Sequence, residues 1–354
     1  MTHPHARKFI FLALLLAALG LSSLAALGFG AFKAGPGEII AAVLPGDNRG
    51  LSGEAAARAQ SVHALMWAIR LPRLLGGLLI GAALAVCGAS MQGMFRNPLA
   101  DPGLIGVSSG GALGAVMMIV FKHLLPGTLP GWGLEAAVPL AAFAGAVATT
   151  LVIYKLSLVE GRVQVATMLL AGIAINSLVG AAIGYTITRA SDAQLREVTF
   201  WNLGSLAQVD WNDLKVGGPL IMAVIILLPL FSKAMNAMLL GDAEASRMGV
   251  RTELVKRVLI LLTALAVGAS VAAAGTIGFV GLVVPHLVRM WIGADHRFLL
   301  PASALLGAIL LVLADLLART VAAPMELPIG MITALLGAPF FLYLLMTQRK
   351  SIFG

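Results

Sequence analysis

Apolar stretches of spanning or near-spanning length recur along the chain. They lie at 9–32, 74–94, 103–122, 134–154, 166–188, 214–232, 255–274, 276–292, 299–318 and 328–346. A helix needs about 20 mostly apolar residues to cross a bilayer, where no water can satisfy its backbone. Polar and helix-breaking residues separate the stretches: Asn97-Pro98, Asp101-Pro102-Gly103, Pro126 to Gly133, Pro324 and Leu327-Pro328. The eighth stretch is short and contains Pro285, so a kinked or broken helix is expected there. The pattern predicts an all-α integral membrane protein of about ten transmembrane helices, organised as one transmembrane domain over 1–354.

Composition agrees. Of 354 residues, 59% are hydrophobic and 11% charged, whereas soluble domains carry roughly 25% charged residues. The 40 glycines suit helices that pack backbone to backbone in lipid. The first stretch runs 24 residues, from Phe9 to Phe32. A cleaved signal peptide has an apolar core of only about 7–15 residues, so this stretch reads as the first span, with a signal peptide as the other reading. Cys87 is the only cysteine, which excludes an intrachain disulfide and a cysteine-based metal site.

Charge then orients the helices. Ten spans place both termini on one side. That side takes 14 of the 24 basic residues and 6 of the 16 acidic ones, for a net +8; the other takes 10 of each. The more basic side is expected to be cytoplasmic, with both termini there. Basic residues scattered among short loops are a topology signal and not a nucleic-acid groove. Two connections are long enough to carry function: Gly35 to Ile69 on the outer side and Lys233 to Glu253 on the inner side.

The chemistry is mostly that of absence. Gly-Lys occurs nowhere, so the GxxxxGK[ST] phosphate cradle is missing and this chain is not itself an ATPase. HExxH is absent too. Ionisable residues inside the spans are few, which argues against a proton-coupled carrier. Asp315 and Arg319 sit four apart on one helix, where a local ion pair makes Asp315 tolerable in lipid. His286 follows Pro285 and reads as a hydrogen-bonded packing residue.

Specific motifs narrow the class. They are Arg70-Leu-Pro-Arg73, Gly81, Gly88, Gln92, Arg96 to Pro102, and Gly106-Val-Ser-Ser-Gly110. Further on come Gly275-Thr-Ile-Gly-Phe-Val-Gly-Leu282, Pro285-His286, Arg289, Gly293, Asp295 to Arg297, Asp315, Arg319, Glu326-Leu-Pro-Ile-Gly330 and Gly337 to Phe340. In order and spacing, from about Leu65 to Tyr343, they resemble the permease family of vitamin B12, iron-siderophore and haem ABC importers. The resemblance implies a vitamin B12 permease-like subunit with ten helices, and a substrate pathway between two copies. It implies two separate ATPase subunits carrying ATP and Mg, and a periplasmic binding protein that delivers the substrate. No cofactor is expected on this chain.

The resemblance also implies roles by position. Arg70, Arg73 and Arg319 would receive acidic side chains of the binding protein; interfacial arginines snorkelling to headgroups are the other reading. Asn97, Pro98 and Leu99 would line a cytoplasmic gate, in a turn that also ends one helix and starts the next. Gly241, Asp242, Ala243, Glu244, Ala245, Met248 and Gly249 match the family's coupling segment, which seats in a groove of the ATPase; a solvated loop helix is the plainer reading. Ser191 to Arg196 and Thr199 to Leu206 look most like the haem-importing branch. Arg189, at the outer end of the fifth span, is a candidate contact for a haem propionate, or else a helix-end anchor. A siderophore or vitamin B12 permease, or an ion-coupled secondary transporter, remains as an alternative.

Overall fold

A computed structural model describes residues 4–30, 35–43, 53–124 and 136–347. The chain runs α1 (Pro4–Gly28), α2 (Pro36–Val43), α3 (Glu54–Leu65), a π-turn (Met66–Arg70), α4 (Leu71–Phe95), a 3-10 turn (Pro102–Ile105), α5 (Val107–Phe121) and α6 (Ala137–Leu156). A two-residue hairpin, β1 (Leu158–Val159) and β2 (Arg162–Val163), leads into α7 (Val165–Ile187) and α8 (Asp192–Leu203). Then come α9 (Trp211–Leu227), α10 (Ser232–Met238), α11 (Asp242–Arg247), α12 (Thr252–Ala274), α13 (Val280–Ile292), α14 (His296–Ala318) and α15 (Ile329–Thr347). Among the described residues, eight helices are long and apolar enough to span a membrane, and Val280–Ile292 and Ile329–Tyr343 are shorter apolar helices. Together they match the ten stretches expected from hydropathy.

The centre of the bundle is α4, which packs against α9, α12, α13 and α14. It is buried almost from end to end, so little of it meets lipid. Without water, helices gain little from hydrophobicity against each other and associate through close packing of small residues. Gly81 of α4 and Gly307 of α14 face each other, and a Cβ on either would lie 2.4 or 2.3 Å from the other's carbonyl oxygen. Gly88 lies against Gly281 of α13, where an added Cβ would fall 1.9 Å from a carbonyl oxygen. These two contacts account for Gly81 and Gly88 in the motif.

Three boundaries differ from expectation. The connection 35–69 is not an open loop where described. Glu54-Ala-Ala-Ala-Arg-Ala-Gln is strongly helix-forming, and α3 continues through the π-turn into α4, making an apolar helical run from Ala56 to Phe95. Ile39, Ala42, Val62 and Met66 pack α2 onto it, and Trp67 stacks on Trp211 at 6.1 Å. The inner connection 233–253 is also shorter than expected, because helix continues through a 3-10 turn (Leu228–Phe231) and α10 to Met238. The eighth span breaks before Val280, at residues 275–279, whereas Pro285 sits inside α13. At 13 residues α13 is about 20 Å long, short of the roughly 30 Å hydrocarbon layer.

Candidate functional site

Three places collect the chemistry: a cation cluster on the face opposite the basic one, an apolar vestibule beside it, and a set of turns on the basic face.

The cation cluster forms where α1, α4 and α14 end. Arg73 clasps Asp315, with Nη2 and Nε both 2.9 Å from Oδ1, and Nη1 reaches Glu326 Oε1 at 3.0 Å. Arg319 approaches the same Asp315 at 3.6 Å. Arg70 and Arg319 donate to the carbonyls of Leu27 and Ala26 respectively. Those carbonyls belong to the last turn of α1, where helix hydrogen bonds run out and the helix dipole is negative. Two of the arginines therefore cap α1. A cavity of about 10 Å³, room for roughly one water, lies between Arg70, Arg73, Asp315 and Arg319.

The three arginines expected to meet a binding protein thus have partners within the chain. Arg70 and Arg73 are 5% and 7% exposed, and every guanidinium of the set already has an internal partner. Charges in an apolar layer are stable only when matched, so the fold pairs them at home. The local pair of Asp315 with Arg319 exists, but the closer partner is Arg73, 242 residues away. Helical spacing finds neighbours four residues apart and cannot find that one.

The vestibule has a volume of about 570 Å³. It is lined by Asn202 and Leu203 of α8, Thr276 and Phe279 of the broken segment, and Met331 and Leu335 of α15. The backbone here is tightly laced. Thr276 Oγ1 donates to the Asn202 carbonyl, Ser205 N–H to Ala274 O at 2.8 Å, and Ile329 N–H to Gly204 O at 3.1 Å. A Cβ at Gly275 would lie 2.2 Å from Trp201 O, and one at Gly330 would lie 2.2 Å from Leu203 O. Those contacts explain why both Gly275-Thr-Ile-Gly and Leu-Pro-Ile-Gly330 need glycine. Phe279 adopts a left-handed φ of 68°, uncommon for a bulky residue, and lies against Gly337, with Phe279 Cβ 2.5 Å from where a Cβ would stand. Arg189 is exposed beyond the end of α7, where Nη2 meets Tyr185 Oη at 3.1 Å. Arg189 is not among the residues that line the vestibule. Phe279 and Asn202 lie within the motif segments Gly275 to Leu282 and Thr199 to Leu206, but nothing in those segments marks them as lining a shared cavity.

On the basic face, α4 ends at Arg96 in a left-handed conformation, with its N–H on Gly93 O at 3.3 Å. Asn97 is exposed, and its Oδ1 accepts the Leu99 N–H at 2.9 Å; Pro98 and Leu99 are half-buried. Asp101 caps the next turn by accepting the Gly103 N–H at 2.7 Å. Asn97, Pro98 and Leu99 thus form one tight turn, held by its own side chain.

Beside it lies α11, bracketed by Gly241 and Gly249 at positive φ. Ala245 is fully buried and seats the helix, while Ala243, Glu244, Met248 and Gly249 face outward, Met248 with 64% exposure. Arg247 pairs with Glu244 on the surface at 3.0 Å. Asp242 faces the other way, toward Lys256 and Arg96. The outward set is a small-residue, partly apolar surface able to enter a shallow groove.

Helices threading back and forth, a vestibule open on one side and a bracketed helix on the other make this a multi-pass membrane permease, with no constellation for covalent chemistry among the described residues. The FecCD transport family matches residues 15–347. The chain is 49% identical over 298 residues to the hemin transport system permease protein HmuU of Yersinia pestis, covering 83% of this chain and 88% of that one. It is 42% identical to the cobalamin import system permease protein BtuC of Halobacterium salinarum, over 81% of this chain and 74% of that one. An inward-facing structure of a metal-chelate type ABC transporter superposes with a TM-score of 0.78 at 30% identity, covering 95% of this chain and 98% of that one. The chain belongs to the FecCD transport family, as a permease of ATP-binding-cassette importers.

Proposed function

We propose that the chain moves haem across the inner membrane of a bacterium. The observation that carries this is the 49% identity, over most of both chains, with a hemin permease. The vestibule supports it: its volume lies in the range of small-molecule sites, and its mostly apolar lining suits a flat apolar macrocycle. Two copies enclose the pathway, two ATPase subunits with ATP and Mg sit on the basic face, and a periplasmic haem-binding protein docks on the opposite one. The basic face is cytoplasmic and both termini lie there. The chain binds no cofactor; its contribution is to differ in stability between outward-open and inward-open states.

The site residues divide between the two faces. Gly241, Asp242, Ala243, Glu244, Ala245, Met248 and Gly249 dock the ATPase, and Asn97, Pro98 and Leu99 close the pathway beside them. Arg70, Arg73 and Arg319 receive the delivery protein by exchange: its carboxylates replace Glu326 and the α1 carbonyls, which are their partners at rest. Arg189 meets a propionate as haem enters. The test is uptake of haem by proteoliposomes holding the permease, its ATPase and its binding protein, beside a ferric siderophore and cobalamin as competing cargoes. Uptake of haem alone is expected; uptake of either competitor instead overturns the assignment. Unchanged haem uptake by Arg189→Ala removes the propionate role.

A further inference from the structure

Lys256 is a buried cation that transport, as described above, does not use. It sits in the second turn of α12 and is 2% exposed. Its Nζ reaches Asp242 Oδ2 at 2.6 Å, Glu253 Oε1 at 3.1 Å and the Val163 carbonyl at 3.4 Å. Glu253 turns its other oxygen to the Val163 N–H at 2.8 Å, so the β-hairpin is held twice. Arg257, the next residue, donates to Gly161 O at 2.8 Å. Asp242 turns its other oxygen toward Arg96 Nη2 at 3.7 Å, and a Cβ at Gly241 would lie 3.7 Å from Arg96 Nη1.

Three connections far apart in sequence therefore meet at one ammonium: the hairpin after α6, the bracketed helix α11, and, through Asp242, the turn that ends α4. Desolvating an ammonium is costly unless carboxylates match it. A packing residue at this position needs no charge at all. Here the charge is kept, with one acid on its own helix and the other on α11. We infer that Lys256 is a positioning residue that couples α11 to the Arg96–Leu99 turn, so that a displacement of α11 moves the turn. The inference rests on the reading of α11 as the ATPase dock and of the turn as the gate.

The test is Lys256→Met in the complete transporter, reconstituted with its ATPase and binding protein. Three quantities are read: ATPase copurified with the permease, ATP hydrolysed, and haem taken up per ATP. Copurification and hydrolysis are expected to persist, while haem per ATP falls about tenfold, within the usual range of coupling between sites. Arg96→Gln, which cuts the exposed arm, shifts the same ratio in the same direction by less. If the single change unfolds the permease, Lys256→Met/Glu253→Gln preserves charge balance and leaves Asp242 to Arg96; the same loss is expected of it. A folded Lys256 variant with an unchanged ratio overturns the inference, and so does one that folds but releases the ATPase. Lesions across Gly241 to Gly249 that leave the ATPase bound refute the docking reading instead, which keeps the two failures apart.

Discussion

Each face of the permease buries a cation between two carboxylates, yet the two clusters are built differently. Arg73 makes several hydrogen bonds to Asp315 and Glu326 through a planar guanidinium. Its main partner sits on α14, a long helix packed against α4. Lys256 offers a point charge to Asp242, on a six-residue helix, and to Glu253, one turn away on α12. Arginine fixes orientation as well as charge, whereas an ammonium tolerates rotation of its partners. The first cluster locks core helices. The second ties the short helix α11 and the β-hairpin to the first turns of α12. The difference is one of bonding: one cation is fixed in orientation across two long helices, the other is held as a point charge among short segments.

That contrast sets an order of effects. Asp315→Ala removes the anion under two guanidinium groups, and breaking a buried pair typically costs about 3–5 kcal/mol. A large fall in the thermal midpoint of detergent-solubilised permease is expected. Arg73→Met/Asp315→Leu should recover much of it, because paired charges in a core are often replaceable by apolar groups. A single variant as stable as the wild type would erase the distinction between the faces.

Lys256→Met should destabilise less, by about 1–3 kcal/mol, because Asp242 and Glu253 keep 37% and 29% of their side-chain surface exposed and water can compensate. An equal or larger loss than for Asp315→Ala would break the comparison. Arg96→Gln should cost under about 1 kcal/mol, since both side chains of that pair are well exposed. Any loss should vanish at high salt, and a salt-independent loss would show a buried role.

The smallest effect is one of pH. Burial alone would raise the Asp295 carboxyl, but the Asn236 amide, the Arg297 N–H and the charges of Lys8 and Arg297 outweigh it and hold the group below its ordinary range. A depressed carboxylate adds stability that is present above its unfolded pKa of about 3.9 and lost as pH falls through the folded value. Acid unfolding followed by tryptophan fluorescence should therefore begin at slightly higher pH in Asp295→Asn than in the wild type. An acid limb identical to that of the wild type would separate Asp295 from the stability of the basic face.

Much of the molecule was legible from residue order. The ten apolar stretches correspond to the eight spanning helices and two shorter apolar ones, and the weak eighth stretch is the short α13. Gly275 and Gly330 stood out by motif, although their reason, carbonyls from α8 2.2 Å from where a Cβ would stand, did not. The helix in 54–65 was missed because its apolar residues are mostly alanine, interleaved with Arg58, Gln60, Ser61 and His63, and hydropathy does not distinguish such a helix from a loop. Arg70, Arg73 and Arg319 were read as docking residues from the family resemblance, which carries no information about the partners they hold within the chain.

What the sequence determined by itself is what can be summed over a window of about 20 residues. That includes which segments enter lipid, how many there are and which set of loops carries the positive charge. These depend on transfer of each segment from water, a local quantity. Which arginine holds Asp315, what Lys256 joins and where Phe279 stands were decided only by the tertiary structure. Those pairings link residues up to 242 positions apart and depend on how closely α4 and α14 approach at Gly81 and Gly307, a distance set by packing and not by any one segment.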